Sequence, residues 1–130
     1  MDPRMPNSAL FPPGAKPLGP YSPGIAAGDY VFVAGQIPID ASGNIIPGDI
    51  EAQTEQVFKN LKAVLETAGL TFAHVVKSTV FMMDLGEFTR MNAVYEKYVV
   101  QPYPARSTIQ VAGLPKGARV EIEMIAYRGK

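Results

Sequence analysis

Val75-Val76-Lys77-Ser78-Thr79-Val80-Phe81-Met82-Met83 is a β-branched run with bulky apolar residues on both alternating sets. Val76, Val80 and Met82 fall on one side of an extended chain, and Val75, Phe81 and Met83 on the other. A strand that is apolar on both sides needs cover on both sides. Its flanks supply cover for one. Upstream, Asp49 reads as an N-cap with Glu51 in the first turn behind it. Val57, Leu61, Val64, Leu65 and Ala68 then recur at helical spacing, and Gly69 is placed to stop the helix. Downstream, Asp84-Leu85-Gly86-Glu87 reads as a capping box. The helix it opens lines up Phe88, Met91, Tyr95 and Tyr98, and Gln101-Pro102-Tyr103-Pro104 ends it.

Further out, Tyr30–Ala34 is a β-branched and aromatic strand, broken by Gly35-Gln36-Ile37-Pro38 and followed by a turn over 40–44. Arg106–Val111 is a strand with Arg106, Thr108 and Gln110 on one face. Val120–Tyr127 alternates cleanly, with Val120, Ile122, Met124 and Ala126 opposite Glu121 and Glu123. The order strand, helix, strand, helix, strand, strand predicts a single α+β domain with two helices on one face of a mixed sheet. Seven of the twelve prolines lie in the first 23 residues. This predicts a flexible tail over 1–13, an extended surface segment over 14–24, and a domain spanning 14–130. Two helices leave the second sheet face bare, which predicts a homo-oligomer closed around it.

Composition narrows the chemistry. At 130 residues, 47% of them hydrophobic and 18% charged, the chain is sized for one folded domain. It has no cysteine and one histidine, His74. That excludes disulfides, a zinc ribbon and a thiol nucleophile, and leaves little for a Ser-His-Asp triad or a metal centre. Twelve basic and twelve acidic side chains cancel, which argues against a nucleic-acid binder. No apolar run approaches the ~20 residues of a membrane span, and no secretory pattern opens the chain. The expectation is a soluble, cytoplasmic protein.

Two charged residues stand out at strand starts. Arg106 can present a planar fork to a carboxylate, and Glu121 opens the next strand. If the two strands form a simple hairpin with Val111 facing Val120, then Arg106, Thr108, Gln110, Glu121 and Glu123 share one face. Arg106 and Glu121 would then lie on the order of 13 Å apart, both within reach of a small anion. An ordinary solvated polar face fits the same pattern. Lys116 and Arg119 read as a solvated turn, His74 as a surface or capping residue, and Met82-Met83 as core.

Several motifs together resemble one family. Pro104-Ala105-Arg106-Ser107, Leu114-Pro115-Lys116-Gly117 and Val120-Glu121-Ile122-Glu123 are similar to the signature of the Rid (YjgF-type) reactive-intermediate deaminases. So are Gly19-Pro20-Tyr21-Ser22, Gly35-Gln36-Ile37-Pro38, residues 76–81 and Asn92-Ala93-Val94-Tyr95, so that the resemblance covers about residues 17–128. It implies a chorismate-mutase-like fold and a homotrimer with an inner β-barrel and clefts between subunits. It also implies cofactor-free hydrolysis of 2-imino acids, such as 2-iminobutanoate and 2-iminopropanoate, to 2-keto acids and ammonia. By the same resemblance Arg106 grips the carboxylate and Glu121 positions or activates water, while Tyr21, Gly35, Asn92 and Thr108 line the pocket. Thr108 stands where many members have cysteine, and Ala34 where many have serine. Two other readings stay open: a trimer that binds small carboxylates without turnover, and an endoribonuclease or translation inhibitor.

Overall fold

In the computed structural model, which describes residues 7–129, the two-sided run becomes an interior strand. The elements in order are β1 (Ser8–Leu10), β2 (Gly24–Ala27), β3 (Tyr30–Gln36), α1 (Ile50–Thr67), β4 (Val75–Met82), α2 (Phe88–Tyr98), β5 (Ala105–Gln110) and β6 (Val120–Tyr127). They form one six-stranded sheet in the order β1-β2-β3-β6-β4-β5, antiparallel except for the parallel β4–β5 pair.

The helices begin and end where local chemistry directs them. The Asp49 side chain accepts the Ala52 N–H at 3.0 Å, and Gly69, at φ 73°, follows the last turn of α1. Asp84 caps a short 3₁₀ turn, Leu85–Glu87, rather than α2 itself. Glu87 instead accepts from the Arg119 guanidinium at 3.1 Å, and the reciprocal half of the expected capping box does not form. His74 Nδ1 accepts the Thr71 N–H at 3.1 Å and caps the turn before β4.

Both helices lie on one sheet face. Val57, Phe58, Leu61, Leu65, Met91 and Tyr95 from the helices share one core with Val31, Val33, Val80, Met82, Ile122 and Met124 from the strands. The opposite face carries Tyr30, Phe32 and Ile109, each 44–45% exposed, beside Phe81 and Ile125. An apolar sheet face of this kind stays open in the single chain, as the sequence predicts. Among the described residues, no helix is long and apolar enough to cross a membrane.

Four further expectations need correction. Ser8–Leu10, assigned to the tail, pair with β2 as an edge strand; residues 1–6 lie outside the described residues. Val75 is buried and Val76 exposed, because a bulge between Val75 and Lys77 inserts one residue and reverses the parity of the strand start. Met83 falls just beyond β4 and is 38% exposed, so only Met82 belongs to the core. The last two strands form no hairpin: β4 lies between them, pairing with β5 on one side and β6 on the other.

Candidate functional site

The inserted strand separates what the hairpin would have joined. Arg106, Thr108 and Gln110 register with Ser78, Val80 and Met82 of β4, on the helix-covered face. Glu121 and Glu123 register with Phe81 and Thr79, on the open face. Arg106 and Glu121 thus lie on opposite faces of one sheet, about 14 Å apart by strand spacing and rise.

The first cluster sits at the edge strand β5. The Arg106 guanidinium donates to Asn92 Oδ1 on α2 at 2.8 Å, with its Cζ 4.6 Å from the Tyr95 ring centre and 5.4 Å from that of Phe88. Phe88, Asn92 and Tyr95 are spaced i, i+4, i+7, so one helix stripe meets the arginine. These partners are all neutral, and among the described residues no carboxylate lies within ion-pair reach of Arg106. Among the described residues its remaining donors find no acceptor. Thr108, two residues along the same face, has a buried hydroxyl with no hydrogen-bond partner among the described residues. A forked cation beside an unpaired hydroxyl suits a carboxylate.

The second cluster is built on a bulge. Between Val33↔Met124 and Gln36↔Ile122, Ala34 and Gly35 of β3 oppose a single residue of β6. The bulge brings the backbone of Gly35 against Glu121 so closely that an alanine Cβ there would lie 2.0 Å from Glu121 Oε2 and 2.8 Å from its Cδ. Burial, and next the nearby Glu123 charge, push the Glu121 carboxyl above its ordinary value. That suits a group exchanging protons nearer neutrality. Tyr21 is 48% exposed, and its hydroxyl accepts the Leu18 N–H at 3.3 Å. It joins Gly35 on a cleft of about 550 Å³ that also meets Asn60 and Lys116.

The family model described as Endoribonuclease L-PSP matches residues 13–128. The chain belongs to the Rid (YjgF-type) family. It is 50% identical to a RutC family protein of Pyrococcus horikoshii, over 87% of this chain and 90% of that one. It is 42% identical to the 2-iminobutanoate/2-iminopropanoate deaminase of Escherichia coli, over 85% of this chain and 89% of that one. Among solved structures it resembles E. coli TdcF with bound serine, at TM-score 0.85 and 38% identity, covering 94% of this chain and 99% of that one. This Rid protein shares the α+β fold of its relatives, with two helices on a six-stranded mixed sheet.

Of the residues singled out in the sequence, Arg106, Asn92 and Thr108 come together, and Glu121 meets Gly35 with Tyr21 nearby. The two groups do not meet within one chain. Sequence reasoning missed Tyr95 and Ser78 as neighbours of the site. Tyr95 was legible only as a core position of the helix stripe, and Ser78 interrupts an apolar strand without saying why.

Proposed function

We propose that this Rid protein is a cofactor-free hydrolase of small 2-imino acids, acting as a homotrimer in which one subunit's Arg106 faces another subunit's Glu121. The observation that carries the reading is an arginine held flat by neutral partners, with its donors free for an anion. The relative named as an imine deaminase supports the same chemistry, and the open apolar sheet face supports closure around further copies. The assembly would work in the cytoplasm on imines that form from enamines released by pyridoxal-phosphate enzymes.

Arg106 forks the substrate carboxylate while the Thr108 hydroxyl and Asn92 complete that end of the pocket. The carboxylate fixes C2, and Glu121 accepts a proton as water adds to C2 of the C=N bond. Glu121 returns that proton to nitrogen to give the carbinolamine; it then takes the hydroxyl proton and passes it to nitrogen as the C=O bond forms and the C–N bond breaks, releasing ammonia and the 2-keto acid. Gly35 leaves room for the Glu121 carboxylate, and Tyr21 flanks the opening.

The test couples an imine-generating amino-acid oxidase to keto-acid release. Wild-type protein should accelerate that release; equal rates with and without it would defeat the reading. An activity on RNA that collapses with added salt would favour the endoribonuclease instead. Mixing tests the split site. Arg106→Ala and Glu121→Gln subunits, each strongly impaired alone, should recover about a quarter of wild-type activity when assembled together at equal amounts. No recovery would remove the pairing of Arg106 with another subunit's Glu121 from the reaction.

Acidity gives an independent check. Glu121 must be ionised to accept the proton, and burial raises its pKa. The rate should therefore fall as pH drops through a midpoint above the usual carboxylate range. Glu121→Gln should erase that acid limb as well as lowering the rate; an unchanged limb would assign it to another group.

A further inference from the structure

Ser78 and Tyr95 form a polar pair inside an apolar core. The Tyr95 hydroxyl and Ser78 Oγ are 2.6 Å apart and buried, with Ser78 0% and Tyr95 6% exposed. The core that holds them includes Val80, Met91 and Phe58, whose ring meets Tyr95 edge-on at 5.6 Å. Packing alone does not ask for this pair. A phenylalanine and an alanine would fill the same space without two hydroxyls to desolvate.

The pair's other neighbour gives it a use. Ser78 registers directly with Arg106 across the β4–β5 ladder, and the Tyr95 ring supports the Arg106 guanidinium with Cζ 4.6 Å from its centre. One end of the ring is thus pinned by the residue beside the arginine, and its face carries the arginine itself. Arg106 is the second residue of an edge strand, where a long side chain has many rotamers to choose from. The Asn92 hydrogen bond fixes one nitrogen, and two ring faces define the plane. The in-plane edge of the fork remains open to a carboxylate.

We infer that Tyr95 is a positioning residue: held by Ser78, it sets the plane of the Arg106 guanidinium and thereby the strength and selectivity of carboxylate binding. This rests on the carboxylate-binding reading of Arg106 given above. Phe88, with its ring centre 5.4 Å from the same Cζ, is the second and weaker support.

The test compares 2-oxobutanoate with its neutral amide, 2-oxobutanamide, by calorimetry, and follows KM and kcat in the coupled imine assay. Tyr95→Leu should weaken 2-oxobutanoate by about 5- to 20-fold, the scale of a desolvated cation–π contact, and leave the amide within about two-fold. Imine KM should rise with the loss in affinity while kcat changes less. Tyr95→Phe keeps the ring but frees it from Ser78, and should lose about two- to three-fold for the carboxylate alone. If Tyr95→Leu does not fold, Phe88→Leu at the half-buried start of α2 carries the same comparison, with about two- to three-fold expected. Wild-type affinity for 2-oxobutanoate in the folded variants, or equal losses for acid and amide, would overturn the inference and leave Tyr95 a packing residue. Arg106→Ala separates the two levels of the argument. If it binds 2-oxobutanoate as wild type does, the carboxylate reading itself fails. If it binds weakly while Tyr95→Leu binds normally, only the positioning role fails.

Discussion

Arg106→Ala is expected to weaken 2-oxobutanoate binding by about 10- to 150-fold, the loss of a charge-assisted contact of roughly 1.5–3 kcal/mol. The loss in kcat/KM should be at least as large, because the fork also fixes where C2 stands relative to the attacking water. Folding should survive. Arg106 is only half-buried, and its hydrogen bond to Asn92 ends on a side chain that water can reach. Arg106→Lys should recover part of the affinity and little of the rate, since an ammonium cannot lie flat between Phe88 and Tyr95 and fork an anion. Calorimetry with 2-oxobutanoate beside the coupled imine assay reads both quantities. Wild-type turnover by Arg106→Ala would end the deaminase reading and leave the polar cluster at β5 a structural one.

Gly35→Ala should be nearly silent in stability and severe in rate. The added Cβ would overlap Glu121 Oε2 and Cδ, atoms at the free end of a flexible side chain, so Glu121 can swing aside without disturbing the core. Its backbone conformation is one that alanine accepts, because Gly35 is not among the positive-φ glycines of the described residues. The displaced carboxylate can no longer take the proton from water, a role worth about 10²–10⁴-fold. Glu121→Gln should cost a similar factor, and the double variant no more than either single one, since all act through one group. Melting temperature and kcat measured on the three variants decide this. Full turnover by Gly35→Ala would mean that the position of Glu121 is irrelevant to the reaction.

Which parts of this molecule could be read in advance follows from the range over which each signal acts. Asp49, Gly69 and the apolar stripes of α1 and α2 speak through neighbours a turn away, and the structure agrees with them. Gly24–Ala27 gives little strand signal because three of its four residues are small and only Ile25 is β-branched, although β2 pairs along its whole length with β3. The hairpin failed for a non-local reason. Adjacent strands in sequence pair by default, but here a parallel β4–β5 crossover through α2 wins, because α2 must return its stripe to the same core. Parity then misled in turn. The alternation within β5 and within β6 was right, yet no local pattern states which face of one strand aligns with which face of another. The motifs that marked Arg106 and Glu121 carried no geometry, so the opposition of their faces had to come from the fold.

β1 changes what may safely be cut from this chain. Its three residues look like the end of a proline-rich leader, but they are the border of the sheet. Leu10 packs beside Gly24, where a Cβ would meet Val64 at 2.7 Å and Leu10 at 3.3 Å. Shortening the chain past residue 10 would therefore open a seam over Val64 and bare the hydrogen-bonding rim of β2. An unguarded rim of that kind invites a stranger's strand, so a trimmed chain trades an untidy terminus for a tendency to stick.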